Sequence, residues 1–165
     1  MNHEESKLQQ ECVAEFRAEH PEYAMLLTHP INEGSKNTRV TGAIHKAEGT
    51  VAGVPDLLFF LPSFIVDEKT GEWIEVHGLG IEFKTPKGKQ SEEQKKFQRY
   101  FESAGYAYRI VRTKEQFREL IMVYIFMAKE ILKDKIHEEH QRIEKESAKK
   151  EREHFYKVIG KKSHG

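Results

Sequence analysis

The chain has one cysteine, one tryptophan and five prolines in 165 residues, and its charges cancel, 27 basic against 27 acidic side chains. The lone Cys12 excludes an internal disulfide and a Cys-rich zinc site, and it fits a reducing, intracellular setting; it reads as a core residue rather than a nucleophile. Zero net charge removes any global electrostatic case for nucleic acid, so phosphate binding has to come from a local cluster. The longest apolar stretch, Leu120 to Ala128, falls far short of the roughly 20 residues a membrane helix needs. The start, Met1-Asn2-His3-Glu4-Glu5-Ser6, lacks the positive and apolar regions of a signal peptide. The expectation is a soluble cytoplasmic protein with no membrane partner, bacterial or, if phage-encoded, in the host cytoplasm.

What is present is polar, with 33% charged and 38% hydrophobic residues. The length suits one domain with a real core. Leu8, Cys12, Val13 and Phe16 form the stripe of an amphipathic helix over about 5–19, which His20-Pro21 ends. Ala24-Met25-Leu26-Leu27 reads as a short strand, Asn32 to Asn37 as a loop, and Val40 to Glu48 as a short helix. Asp56 to Leu61 is an apolar run of strand length, expected to be buried on both faces. After a turn at Asp67 to Glu72, Trp73 to Lys84 alternates like one or two returning strands, giving an antiparallel hairpin.

Ser91-Glu92-Glu93-Gln94 has the form of a capping box. The helix it opens should bury Phe97, Tyr100, Phe101 and Ala104, with Gly105 as its left-handed stop. Tyr106 to Arg112 is a strand by its aromatic and branched content. Thr113-x-x-Gln116 caps a further helix with Phe117, Leu120, Ile121, Tyr124, Ile125 and Ala128 on its apolar side. Beyond Leu132 the sequence turns to Lys, Glu, Arg and His, so the expected division is a core domain over 1–132 and a charged, helical extension over 133–165. Trp73, Tyr106 and Tyr108 read as packing residues, and the nine histidines show no paired metal-ligand spacing on one element.

One stretch carries chemistry. Gly53-Val54-Pro55-Asp56 brings a carboxylate to the start of a strand, and Glu82-Phe83-Lys84 places an acid and an amine on one face of another, because side chains alternate with a period of two. Hydrolysing a phosphodiester calls for an activated water, neutralised charge on the phosphorus oxygens and a stabilised leaving group, which a divalent cation can supply. Asp56, Glu82 and the Phe83 main-chain carbonyl are hard oxygen donors suited to Mg²⁺ or Mn²⁺. Lys84 would orient or deprotonate the attacking water and offset phosphate charge. Lys87, Lys89, Lys95, Lys96 and Arg99 cluster just after, where they would contact the phosphates flanking the cut.

The ordered set Gly53-Val54-Pro55-Asp56-Leu57, Ile81-Glu82-Phe83-Lys84 and Gly88-Lys89-Gln90-Ser91 through Gln94, Phe97 and Gly105 resembles the virus-type replication-repair nuclease (VRR-NUC) domain of the PD-(D/E)xK nuclease superfamily, over about Glu5 to Arg112. That resemblance implies an α/β, restriction-endonuclease-like core with a central mixed sheet flanked by helices. It implies Gln90 as a further catalytic residue at the mouth of the site, and Glu5 on the first helix as a metal contact through water, a role for which Glu4 and Glu11 compete by the same spacing. The loop with Lys36 and Arg39 resembles a phosphate-contacting loop of the family, altered here by Glu33. Stand-alone members are homodimers cutting branched DNA such as four-way junctions, and fused relatives act on flaps; the implied partners are therefore DNA and a second copy. An inactive nuclease-fold DNA-binding module and a restriction-type endonuclease are the alternatives.

Overall fold

The structure is a computed structural model that describes residues 3–30, 47–67 and 70–162. The expected loop over Asn32 to Asn37, with Lys36 and Arg39, and most of the expected helix Val40 to Glu48 lie outside the described residues. The elements are α1 (His3–Glu19), a 3-10 helix (Pro21–Leu26), β1 (Leu27–Thr28), β2 (Leu57–Phe59), β3 (Ser63–Val66), β4 (Trp73–Val76), β5 (Leu79–Phe83), α2 (Glu92–Ser103), β6 (Ala107–Val111) and α3 (Lys114–Lys162). Two compact units divide the chain, Met1–Ala128 and Lys129–Gly165. The second consists, in its described part, of further turns of α3.

The first unit has a four-stranded mixed sheet ordered β1-β2-β5-β6. β2 runs antiparallel to β1 and β5, while β6 lies parallel to β5. Leu57, Phe59, Leu79, Ile81 and Phe83 are all buried. They alternate onto one sheet face, where α1 and the first turns of α3 cover them. Phe59 meets Phe16 of α1 at 5.3 Å between ring centroids and Tyr124 of α3 at 5.7 Å, and Phe83 stacks on Phe117 at 6.0 Å. Tyr124 also donates its hydroxyl to the Leu61 carbonyl at 2.7 Å, and buried Ser63 donates to the Tyr124 carbonyl at 2.7 Å. These bonds tie the exit of β2 to α3. Cys12 is fully buried against this core, as expected.

On the opposite face α2 lies against β5 and β6. Close approach is possible because position 80 is glycine: a Cβ there would stand 3.0 Å from both Phe101 and Pro55. The helix begins with both halves of the capping box, Ser91 Oγ accepting from the Gln94 amide and Gln94 accepting from the Ser91 amide. It ends before Gly105 at φ +83°, a left-handed conformation that glycine adopts freely.

Several sequence expectations are corrected. Ala24 to Leu26 lies in a 3-10 helix rather than a strand, since Pro21 favours the start of a helical turn. Of the run Asp56 to Leu61 only Leu57–Phe59 is strand, and Phe60 is 51% exposed. Burial there is one-sided, because α1 and α3 cover a single face. The strand that follows Asp56 and the strand that carries Glu82 pair antiparallel but are not a hairpin; the hairpin is β3–β4, a separate two-stranded ribbon inserted between them. On α2, Phe97 and Phe101 turn toward the sheet, whereas Tyr100 is 68% exposed and Ala104 is exposed. A single face of α2 meets the sheet, and Tyr100 lies a quarter turn off it. Trp73 sits on the hairpin and is 55% exposed.

Candidate active site

The site is built where β2 begins and β5 ends. Gly53 has φ +84°, and a Cβ on it would stand 2.3 Å from the Glu93 carbonyl oxygen, so glycine alone allows the turn before Asp56 to abut the first turn of α2. Buried Pro55 follows. Leu57 pairs with Ile81, so the next rung sets Asp56 beside Glu82. Asp56 Oδ2 accepts from the Phe83 amide at 2.8 Å. A strand residue points its N–H and C=O to the same side, so the Phe83 carbonyl faces Asp56 as well. Behind it, the Asp56 carbonyl accepts from His29 Nδ1 at 2.6 Å and from Gln9 Nε2 at 3.3 Å. The first of these bonds requires the proton on Nδ1.

Glu82 is 1% exposed, the most buried carboxylate described. Its Oε1 accepts from Lys84 Nζ at 2.7 Å and Gln94 Nε2 at 2.5 Å, and its Oε2 accepts a longer bond from the Tyr108 hydroxyl at 3.2 Å. The Glu82–Lys84 ion pair follows from the shared strand face. Burial pushes the Glu82 carboxyl above the usual range, the adjacent Asp56 adds to this, and Lys84 only partly opposes it. Asp56 is likewise raised by burial, with the Phe83 amide and Lys84 opposing. Tyr108 is held protonated by burial and by the Glu82 charge. Two carboxylates thus stand together with one ammonium beside them, a net negative site with hard oxygen donors.

The remaining predicted residues fall around this centre. Glu5 Oε1 accepts from the Thr85 amide at 3.0 Å and lies near enough to Asp56 to raise its carboxyl. Among the described residues, no group of three or more His, Cys, Asp or Glu side chains is arranged to hold a metal. Gln90 Nε2 donates to Gln98 Oε1 at 2.8 Å and interacts with the Tyr108 hydroxyl, so it reaches Glu82 through that tyrosine. Lys87, Lys89, Lys95, Lys96 and Arg99 are exposed, with Lys95 paired to Glu92 at 2.7 Å.

Sequence reasoning missed four contributors. Gln94 was legible only as a cap, yet the same side chain clamps Glu82. Tyr108 was read as packing, and it does pack, but its hydroxyl ends on Glu82. Arg112 donates to the carbonyls of Thr85 and Gly88, the latter at 3.0 Å, and so folds the loop that receives Glu5. His29 steadies the Asp56 backbone. A glutamine at the third helical position after a Glu-x-Lys strand was the one signal available for any of these.

The architecture is a mixed α/β core, a four-stranded sheet flanked by helices, with Asp56 and Glu82 side by side. No family profile matches the chain, and no curated protein matches it. Among solved structures, a VRR_NUC domain protein is similar to it with a TM-score of 0.59, covering 77% of this chain and 92% of that chain at 18% identity. The chain has a VRR-NUC-like fold. No described helix is long and apolar enough to cross a membrane.

Proposed function

We propose that this protein is a metal-dependent DNA endonuclease that hydrolyses phosphodiester bonds in branched DNA, such as four-way junctions or flaps, and works as a homodimer. The observation that carries the reading is the juxtaposition of Asp56 and Glu82 in a VRR-NUC-like fold, both carboxyls raised by burial and both opposed by the Lys84 ammonium. A cation fits this donor set: Asp56 Oδ1 accepts no bond from the described residues, the Phe83 carbonyl faces the same space, and added positive charge relieves the carboxylate repulsion. Asp56, Glu82 and the Phe83 carbonyl would hold Mg²⁺ or Mn²⁺. Once bound, it would supply Lewis acidity toward the scissile phosphate and an acidified water.

The chain's own groups do the rest. Gln94 and Tyr108 fix the plane of the Glu82 carboxylate from opposite oxygens. Lys84 holds an ammonium beside that carboxylate, where it can hydrogen-bond the attacking water and stabilise charge gathering on the phosphate oxygens. Arg112 shapes the loop from Thr85 to Gly88, and Glu5 pins that loop to α1. Lys87, Lys89, Lys96 and Arg99 provide the sequence-independent grip on flanking phosphates, joined by Lys95 and, from outside the described residues, by Lys36 and Arg39.

Labelled linear, flap and four-way junction DNA incubated in Mg²⁺ or Mn²⁺, beside Glu82→Ala and Lys84→Ala, tests this. Cleavage of the branched substrates by the unmutated chain, lost in both variants, is the expected result. Binding of all three substrates without any cutting would instead identify an inactive binding module.

A further inference from the structure

Helix α2 reaches Glu82 twice. Gln94 does so directly, closing on Oε1 at 2.5 Å beside Lys84 at 2.7 Å. The other route is longer and ends on Oε2. Gln98 and Glu102 follow Gln94 at intervals of four, so the three share one stripe of the helix. Gln98 Nε2 donates to Glu102 Oε1 at 2.9 Å, and Gln98 Oε1 accepts from Gln90 Nε2 at 2.8 Å. Gln90 also bonds to the Tyr108 hydroxyl, in the sense that eases loss of the phenolic proton, so its N–H donates to that oxygen. Tyr108 in turn donates to Glu82 Oε2 at 3.2 Å.

The two ends fix the direction of every link. An ionised carboxylate only accepts, an amide accepts at oxygen and donates at nitrogen, and a phenol donates once. Glu102 therefore holds the Gln98 nitrogen toward itself and turns the Gln98 oxygen to Gln90. Gln90 answers with its nitrogen, whose two hydrogens serve Gln98 and Tyr108. With a donor already on its oxygen, Tyr108 keeps its proton for Glu82. Turned over, Gln90 would set oxygen against oxygen at Gln98 and offer Tyr108 an acceptor that competes with Glu82.

The relay runs from solvent into the core. Glu102 is exposed, Gln98 and Gln90 are half-buried, and Tyr108 and Glu82 are buried. Counting these bonds, Glu82 Oε1 accepts two and Oε2 one. A carboxylate oxygen accepts about two, so Oε2 keeps an acceptor site. The Tyr108 proton settles where on Oε2 that site lies.

We propose that Gln98 is a positioning residue for the cation site: acting through Gln90 and Tyr108, it orients the Oε2 lone pair with which Glu82 would hold the metal. The assignment rests on the metal reading above. It gives Gln90 a place between two side chains of the fold rather than on the substrate.

Calorimetric titration of the full chain with Mn²⁺, without DNA, provides the test, with circular dichroism of each variant alongside. Tyr108→Phe should weaken Mn²⁺ binding about 10-fold or more, the usual loss for a hydrogen-bond partner behind a metal ligand. Gln98→Met keeps the unbranched stem and should weaken it roughly 3-fold or more, a smaller loss because the Tyr108 donor is loosened rather than removed. Its helical circular dichroism should be unchanged. In the Tyr108→Phe background Gln98→Met should change nothing further, because the link through which it acts is gone. Gln98→Glu combined with Glu102→Gln keeps an acceptor at position 98 and a donor at 102, and should bind Mn²⁺ like the parent. Either single variant binding like the parent, an equal loss from Gln98→Met in both backgrounds, or a double swap no tighter than Gln98→Met would each overturn the proposal. A parent that binds no Mn²⁺ would overturn it together with the metal reading. Cleavage is scored separately: this binding pattern in a chain that cuts no DNA would defeat the proposed endonuclease and leave the relay standing.

Discussion

Replacing Lys84 by methionine keeps the unbranched stem and removes only the ammonium, which makes it the sharpest probe of the charge balance at the site. The wild-type pair is closed to water, with side-chain exposures of 11% for Lys84 and 1% for Glu82 and a separation of 2.7 Å. Removing one partner of a buried pair costs about 3–5 kcal/mol when the other stays ionised. Glu82 has an escape, because it can take a proton. In the folded chain its carboxyl already titrates above the unfolded value, so the folded state binds the proton more tightly, and stability falls as pH rises through that window. Without Lys84 the folded value climbs further and the window extends upward. Staying protonated costs about 1.4 kcal/mol for each unit between the solution pH and the ordinary carboxyl value near ~4.3. The loss is thus limited to roughly 4 kcal/mol at pH ~7.5 and roughly 1 kcal/mol at pH ~5. Urea unfolding in chelator at the two pH values measures it. Adding Glu82→Gln to the variant should recover most of the loss at the higher pH. An equal loss at both pH values, or a larger one in acid, would refute the reasoning.

Asp56→Asn keeps an oxygen for the Phe83 amide and removes a buried charge that repels Glu82. In chelator it should raise the unfolding temperature at neutral pH, with a gain that shrinks as the pH falls through the carboxyl range, read by differential scanning calorimetry. Gly53→Ala and Gly71→Ala both place a side chain at positive φ, +84° and +73°, but only the first meets a backbone, since nothing lies within 4 Å of the second. Thermal denaturation should show about 1–2 kcal/mol lost for Gly71→Ala from conformation alone, and clearly more for Gly53→Ala, which also displaces the turn carrying Gln94. Ser91→Ala should cost about 1 kcal/mol by removing the cap of α2.

The features legible in the sequence are those set by neighbours along the chain. Ser91, Gln94 and Gly105 bound α2 by local hydrogen bonding and backbone preference, and both were readable. Glu82 and Lys84 share a face by strand periodicity, so their pairing followed from spacing alone. What escaped depends on partners far away. Whether Asp56 to Leu61 is covered on one face or two is decided by α1 and α3, not by its own composition. The β3–β4 ribbon could not be told from a single long hairpin, because Leu57 pairs with Ile81 across an insertion that pairs only with itself. Gln94 and Tyr108 reach Glu82 only after α2 and β6 fold back onto β5. Pro21 to Leu26 is a local miss, where the proline that ended one helix also started the next turn.

Paired carboxylates that form a catalytic centre differ in their response to Asp56→Asn from a pair that only stabilises the fold, since the variant is expected to fold at least as firmly as the parent. The decisive measurement is cleavage of a labelled four-way junction by wild type and Asp56→Asn in Mg²⁺, with a chelator control. The wild type should cut only with the metal, and the variant, although folded, should not cut at all. Cutting by the variant at the wild-type rate, or by the wild type in chelator, would contradict it.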